Sequence, residues 1–203
     1  MIDPATLLDA RNRAGEPLVV HELDDHGVLT IRLNRPERAN AWTEAMEAQY
    51  YAAIDRAAGD PDVRAVILTG TGPTFCPGVD LERLRQITVE GRPYALSRRP
   101  QTLLRDLPKP VVAAVNGACA GLGLVQAAMA DVRFTTPEAR WTASFSRIGL
   151  VAEDALAWRL QRLTGDEIAA DLLLSARVVS GAEAVHLRLA SRLCAPATSS
   201  APG

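Results

Sequence analysis

Short apolar runs rich in β-branched residues recur along the chain and alternate with longer stretches typical of helices. Runs of the first kind predict strands at Leu18–Glu22, Val28–Leu33, Val63–Thr69, Val132–Thr135 and Arg140–Thr142, with another strand starting at Val111. The first two runs are separated by the sequence Asp-Asp-His-Gly at positions 24–27, which is typical of a turn. The chain is therefore predicted to open with a hairpin.

The longer stretches predict helices between these strands and through the last third of the chain. A helix starts at Thr43 and ends near Ala58, before the breaker sequence Gly-Asp-Pro, and Ser180 opens another with the spacing of a capping box. The other predicted helices are Leu81–Ile87, Tyr94–Leu107, Asp154–Leu163, Asp166–Leu174 and a segment ending at Met129. The alternation predicts an α/β fold of repeated strand-to-helix units.

The chain of 203 residues, with 48% hydrophobic and 23% charged residues, has the composition of one globular domain rather than of a disordered or collagen-like protein. We expect a domain over residues 18–194, a flexible lead-in at 1–17 and a disordered tail at 195–203. A formal net charge of −2 gives no electrostatic argument for nucleic-acid binding. The three cysteines lack metal-site spacing and the first residues lack an apolar run, so we expect free thiols, no signal peptide and a cytoplasmic protein.

Residues 111–130 form an uncharged stretch as long as a membrane-spanning helix. Turn signals interrupt this stretch, because Asn116-Gly117 and the pair Gly121 and Gly123 lie in its middle. A buried strand, a glycine loop and the start of a buried helix explain the pattern better. We therefore predict no membrane insertion.

Common catalytic motifs such as the nucleophile elbow, the zinc-binding HExxH helix and the P-loop are absent from the sequence. Two junctions remain, at residues 66–81 and 108–124, and each runs from an apolar strand through a glycine-rich turn into a helix. Such a turn leaves backbone N–H groups free at a helix N-terminus, where they can bind an oxyanion. Tight packing is the alternative explanation for either junction taken alone.

Together and in order, these motifs resemble the enoyl-CoA hydratase/isomerase (crotonase) family. The resemblance covers VLTIRLNRPERANA, FCPGVDL, PKPVVAAVNGACAG, ADVRF and LLLSARVVSGAEA, which span most of residues 28–184. It implies the ClpP/crotonase fold, a spiral of repeated β-β-α units with a helical C-terminal part. Members of this family usually continue for several more helices, so the chain is interpreted as a C-terminally truncated member.

The resemblance also implies the chemistry. The backbone N–H groups of Val79 and Leu122 would donate hydrogen bonds to the thioester carbonyl of an acyl-CoA. They would thereby stabilise the enolate that forms when a proton is removed from the α-carbon. Residues matching the segments that contact coenzyme A are Arg38, Ala39, Ala41, Val79, Asp80, Leu81 and Leu122. Coenzyme A arrives as part of the substrate, and neither a metal nor another cofactor is implied. The family typically forms trimers or dimers of trimers, so a homo-oligomer is expected.

The proton-transfer residue is less evident. Hydratases of the family use two glutamates, and their places here are taken by Val125 and Phe145, which cannot carry a proton. Glu153 occupies a position similar to the single catalytic glutamate of Δ3,Δ2-enoyl-CoA isomerases, and the adjoining Asp154 and apolar surroundings would raise its pKa. From the residues alone, the start of a helix is the better explanation of these two acidic residues, and it is the family position that favours catalysis. The aromatic residues Trp42, Trp141, Phe145 and Trp158 could line an acyl pocket, but aromatic residues near strands and helices are more often core, and they are interpreted as core.

The resulting hypothesis is an enzyme of fatty-acid metabolism that isomerises or hydrates an enoyl-CoA, with Glu153 as the base. The alternative is a catalytically impaired acyl-CoA-binding protein of the same fold.

Overall fold

A computed structural model describes residues 15–89 and 99–195 of the chain. Its strands form two sheets, a larger one of six strands and a smaller one of four. In spatial order the larger sheet contains β1 (Val19–Leu23), β2 (Val28–Leu33), β3 (Ala65–Gly70), β5 (Val111–Val115), β7 (Val132–Thr135) and β10 (Arg192–Leu193). The smaller sheet contains β4 (Thr74–Cys76), β6 (Ala118–Ala120), β8 (Arg140–Thr142) and β9 (Val179–Ser180).

The helices connect these strands in a repeating pattern. They are α1 (Glu44–Gly59), α2 (Leu81–Thr88), α3 (Leu122–Met129), α4 (Leu156–Thr164), α5 (Asp166–Ser175) and α6 (Gly181–His186). Three 3-10 segments cover Pro36–Arg38, Gln101–Asp106 and Ser144–Ile148. In the units β3-β4-α2 and β5-β6-α3, a strand of the larger sheet is followed by a strand of the smaller sheet and then by a helix. The predicted α/β fold of β-β-α units, with helices dominating the C-terminal part, is confirmed.

Strand direction brings the glycine-rich turns of successive units to the same place. Strands β2, β3, β5, β7 and β10 run parallel, whereas β1 pairs antiparallel with β2 as the predicted hairpin. In the smaller sheet β4 and β6 are also parallel, with Cys76 opposite Cys119. Because parallel strands end at the same edge of a sheet, the turns that follow β4 and β6 are neighbours.

Several predicted elements start or end elsewhere. The predicted helix Tyr94–Leu107 lies partly outside the described residues, and its described part is the 3-10 segment Gln101–Asp106, bounded by Pro100 and Pro108. Helix α4 begins at Leu156 rather than at Asp154, because Asp154 and Ala155 have left-handed backbone conformations. The lead-in before residue 15 and the tail after residue 195 fall outside the described residues, so the domain boundaries stay a prediction.

The core lies between the two sheets and the helices that cover them. Trp42 and Trp141 are fully buried, which confirms their interpretation as core, whereas Trp158 is 43% exposed and stacks with Arg162. Helix α3, the second half of the long uncharged stretch, is only eight residues long and buried throughout. Within the two described ranges, no helix combines the length and apolar character needed to cross a membrane.

Close packing of α3 against β4 depends on Gly123. A methyl group on this residue would lie 2.1 Å from the carbonyl oxygen of Cys76, a buried backbone atom that cannot move away cheaply. We expect Gly123→Ala to lower the free energy of unfolding by about 1–3 kcal/mol through overpacking. Gly59→Ala is the matched control, since Gly59 ends α1 with no atom within 4 Å of its added methyl group. Urea denaturation of both variants checks the prediction, and equal stabilities would contradict it.

Candidate active site

Two glycine-containing turns, one before α2 and one before α3, contact each other at the edge of the smaller sheet. Gly78 and Gly121 have φ angles of +103° and +50°, which side-chain-bearing residues rarely adopt. A methyl group on Gly78 would lie 3.3 Å from the amide nitrogen of Leu122 and 3.5 Å from the Cα atom of Gly121. Glycine at these positions allows the two backbones to approach closely.

The approach leaves two backbone N–H groups unpaired beside each other. Val79 forms a parallel bridge with Trp42 in which Gly78 supplies the carbonyl and Asp80 the N–H, so the N–H of Val79 itself points away from Trp42. Leu122 is the first residue of α3, where an N–H has no intrahelical acceptor. Neither amide donates a hydrogen bond to any residue in the described part of the chain.

These residues line a pocket with a volume of about 350 Å³. Most of its wall is apolar, and its polar side chains come from Gln101, Ser144, Glu153 and Asp154. The other lining residues are Pro77, Gly78, Val79, Leu81, Leu84, Gly121, Leu122, Phe145, Ile148 and Leu150. The structure therefore brings Val79, Leu122 and Glu153, the three residues predicted to be catalytic, to one cavity. Phe145, interpreted from the sequence as core, is part of its wall.

A buried ion pair fixes the turn that carries Val79. Arg35 donates from Nη1 to Oδ2 of Asp80 at 2.6 Å and to the carbonyl oxygen of Ala41 at 3.2 Å, and the side chains of Arg35 and Asp80 are 4% and 1% exposed. Asp80 also caps α2 by accepting from the N–H of Glu82. Burial alone would raise the pKa of Asp80, but Arg35, the Glu82 amide and Arg38 outweigh it and hold the pKa below its usual range.

The residues predicted to contact coenzyme A lie around this ion pair, mostly outside the pocket. The Asp80 carboxylate is enclosed by protein, so its observed partners are structural ones. Arg38 reaches within 3.4 Å of that carboxylate and remains 40% exposed, next to Ala39 in a left-handed conformation. Ala41 is buried, whereas Leu81 is 78% exposed and lines the edge of the pocket.

The segment before α4 brings two neighbouring carboxyl groups to the pocket. Glu153 is exposed, and Asp154 is partly buried. The pKa of Asp154 is raised by burial first, and then by the negative charges of Glu153 and Glu47. Acidic residues at this point were considered as a possible helix start, but α4 begins only at Leu156. Both carboxyl groups therefore belong to the loop that closes one side of the pocket.

A buried polar network lies behind Gln101, and the sequence analysis missed it. Glu47 of α1 accepts hydrogen bonds from Trp42 Nε1 at 3.1 Å and from Gln101 Nε2 at 3.2 Å. Gln126 of α3 donates to Gln101 Oε1 and accepts from the hydroxyl of Tyr50, both at 2.7 Å. The sequence did carry a signal, because Glu47 shares the buried face of α1 with Tyr50 and Ile54. A carboxylate on an apolar helix face indicates a polar network in the interior.

Comparisons with known proteins agree with this architecture. Residues 24–199 match the family model described as Enoyl-CoA hydratase/isomerase. The probable enoyl-CoA hydratase EchA14 of Mycobacterium tuberculosis is 40% identical over 174 residues, which cover 85% of this chain and 68% of the relative. The 1,2-epoxyphenylacetyl-CoA isomerase of Escherichia coli is 34% identical over 167 residues, which cover 79% of this chain and 63% of the relative.

Solved structures show the same likeness. The enoyl-CoA hydratase EchA12_1 of Mycobacterium marinum matches with a TM-score of 0.76 and 41% sequence identity, covering 89% of this chain and 82% of that structure. A putative enoyl-CoA hydratase/isomerase of Mycobacterium abscessus matches with a TM-score of 0.78 and 33% identity, covering 88% of this chain and 72% of that structure. The chain thus has the fold of these proteins over most of its length.

Proposed function

The chain belongs to the enoyl-CoA hydratase/isomerase family, a family of enzymes, and we propose that it isomerises the double bond of an enoyl-CoA thioester in the pocket described above. The observation that carries the proposal is the convergence of three groups on one cavity. These are the unpaired amides of Val79 and Leu122 and the carboxyl group of Glu153.

The two amides form the proposed oxyanion hole. A thioester carbonyl placed between them becomes an enolate oxygen when the acyl chain loses a proton from the carbon next to the carbonyl. Each donor fixed in this way stabilises the developing charge by about 3 kcal/mol. The N-terminus of α3, at which Leu122 lies, adds the positive end of a helix dipole. Because the donors are backbone groups, the side chains of Val79 and Leu122 only shape the pocket.

Glu153 is the proposed base. Its carboxylate removes a proton from the α-carbon, the electron pair of that bond enters the enolate, and the γ-carbon then takes one proton from a carboxyl group of the pocket. The two positions at which related hydratases carry glutamates hold Val125, buried in α3, and Phe145 in the pocket wall. Neither supplies a carboxyl group, which favours the proton shift over water addition by the two-glutamate route.

The coenzyme A part of the substrate is proposed to lie along the segment formed by Arg38, Ala39 and Ala41 and the turn from Val79 to Leu81. The half-exposed guanidinium of Arg38 supports this placement, as does the exposed Leu81 at the edge of the pocket. Asp80 contributes through the ion pair with Arg35, which holds the turn in place. Coenzyme A enters as part of the substrate, and the proposal includes no other cofactor.

We further propose that the protein is a cytoplasmic homo-oligomer that acts in fatty-acid metabolism. Large apolar side chains are exposed in the last part of the described chain, including Leu174 of α5 at 80% and Leu193 of β10 at 45%, which supports a homo-oligomer. Cys76 and Cys119 are buried free thiols, as expected for a protein of a reducing cytoplasm. Acyl-CoA chemistry of this kind belongs to fatty-acid metabolism.

The test follows conversion of a 3-enoyl-CoA to the conjugated 2-enoyl-CoA by the wild-type protein and by Glu153→Gln. We expect the variant to lose about 10²-fold or more in kcat while it still binds acyl-CoA, since glutamine keeps the shape of the side chain but cannot accept the proton. Glu138→Gln is the matched control, because Glu138 is exposed in the turn before β8. Tight acyl-CoA binding without turnover by the wild type would instead identify an acyl-CoA-binding protein.

A further inference from the structure

Asp154 gives the pocket a second carboxyl group that the proposed reaction has not yet used. It lines the same cavity as Glu153 and is less exposed than its neighbour. Within residues 15–89 and 99–195, its carboxyl group forms no hydrogen bond and no ion pair. The carboxyl group is therefore available to a molecule bound in the cavity.

The backbone around this residue is held in an unusual conformation. Asp154 and Ala155 have consecutive φ angles of +53° and +58°. Residues other than glycine adopt this region at an energetic cost, and such residues concentrate at active sites, where the surrounding structure holds them in place. Here the conformation postpones the start of α4 and leaves Asp154 in the pocket wall instead of in a helix.

The two charged groups that shift the pKa of Asp154 are both negative. Glu153 precedes it in the loop, and Glu47 belongs to α1. Two arginines of neighbouring elements are engaged elsewhere, since Arg159 of α4 donates to carbonyl oxygens at the end of α3 and Arg105 lies over the ring of Trp158. Burial and both glutamates raise the pKa of Asp154, so this carboxyl group keeps its proton to higher pH than an exposed aspartate does.

We propose that Asp154 is a second catalytic residue of the pocket, which donates a proton to the acyl chain while Glu153 removes one. The inference rests on the proposed function, because it requires an enolate in this cavity. In isomerisation, the bond from the α-carbon to its hydrogen breaks and Glu153 takes the proton. The dienolate then collapses as its γ-carbon takes the proton of Asp154, and the double bond moves into conjugation with the thioester.

The cycle closes without any further reactant. After turnover Glu153 is protonated and Asp154 is ionised, and one proton passing between the two neighbours, directly or through solvent at the exposed Glu153, restores the starting state. The same pair could serve hydration, with Glu153 taking a proton from water and Asp154 protonating the α-carbon. Two carboxyl groups in one pocket can thus divide the roles of base and acid between them.

The test is the pH dependence of conversion by the wild type, Asp154→Asn, Glu47→Gln and the control Asp25→Asn in the exposed hairpin turn. Asparagine has nearly the shape of aspartate and tolerates a positive φ. We expect Asp154→Asn to lower kcat by at least about tenfold with little change in KM. It should also remove the fall in rate on the alkaline side, where Asp154 loses its proton. Glu47→Gln should move that fall to lower pH, since Asp154 then has one negative neighbour fewer.

Each outcome decides between the two proposals. Turnover that Glu153→Gln abolishes but Asp154→Asn leaves at the wild-type rate and pH profile overturns the role of Asp154 and leaves the proposed function standing. A wild type that converts neither a 3-enoyl-CoA nor a 2-enoyl-CoA overturns both. If Asp154→Asn fails to bind acyl-CoA, the pH dependence of the rate of Glu47→Gln becomes the deciding measurement. A fall in rate at the same alkaline pH as in the wild type then overturns the proposed role of Asp154.

Discussion

Replacing Leu122 with proline is expected to lower kcat for the proposed isomerisation by about 10²–10³-fold relative to Leu122→Ala. Proline has no N–H, and its Cδ atom takes the place of the amide hydrogen, so the substitution deletes one of the two proposed oxyanion donors and narrows the space in front of it. Leu122→Ala is the matched control because it removes the same side chain from the pocket wall and retains the amide. Single-turnover rates and acyl-CoA binding of the two variants are the measurements.

The backbone at this point can accept proline. Leu122 is the first residue of α3, a position at which proline is common because its fixed φ suits a helix start. Gly121 has φ +50° and ψ −122°, the mirror image of the extended conformation that a residue before proline prefers, and glycine adopts either hand equally well. If Leu122→Pro folds and its kcat lies within about threefold of that of Leu122→Ala, this amide has no role in the mechanism.

Removing the Asp80 carboxylate is expected to be the most destabilising of the substitutions considered. Asp80→Ala leaves the buried charge of Arg35 without its partner and also deletes the cap of α2. Breaking a buried ion pair on one side lowers the free energy of unfolding by about 3–5 kcal/mol. Urea denaturation at neutral pH measures this loss, and a loss below about 1 kcal/mol would contradict a structural role for the pair.

The pH dependence and a double variant test the same ion pair independently. The pKa of Asp80 is lowered in the folded protein, so its stabilisation is present above the unfolded pKa of about 3.9 and is lost as pH falls through the folded pKa. The difference in the free energy of unfolding between the wild type and Asp80→Ala should therefore become smaller at acidic pH. Combining Arg35→Met with Asp80→Asn removes both charges and keeps a capping side chain. The double variant should therefore lose less free energy of unfolding than the sum of the losses of the two single variants.

Local signals in the sequence predicted much of the secondary structure. The hairpin turn, in which Asp24 accepts from the amides of His26 and Val28, lies between β1 and β2 as expected. The side chain of Ser180 accepts from the amide of Glu183 at the start of α6, as its capping spacing indicated. These features depend on residues within about four positions of each other, which a sequence displays directly.

Pairing between distant residues explains what the sequence did not predict. Strands β4 and β6 are three residues each, too short to show alternation, and they form because Thr74 and Ala118 pair across the smaller sheet. The main partner of the Asp80 carboxylate, Arg35, lies 45 residues away in sequence, and nothing in the sequence indicated that the two side chains pair. Such long-range contacts leave no local pattern.

The candidate site shows the same contrast between what the sequence displays and what only the folded chain displays. Val79, Leu122 and Glu153 were identified through the resemblance of ordered motifs, and the structure places all three around one cavity. The significance of Asp154 was only partly visible, since its left-handed backbone and the charge of Glu47 on α1 emerge from the folded chain. The roles of all four residues are proposals, and the variants above test those of Leu122, Glu153 and Asp154.

The repetition of the β-β-α unit has an evolutionary consequence. Val79 and Leu122 stand at similar points of two successive units, each directly after a glycine in the turn that leads from the strand of the smaller sheet to the helix. Main-chain donors tolerate mutation well, because every new side chain at either position except proline leaves the N–H in place. Selection can then remodel the acyl cavity through these two positions while the proposed enolate-stabilising device is inherited intact.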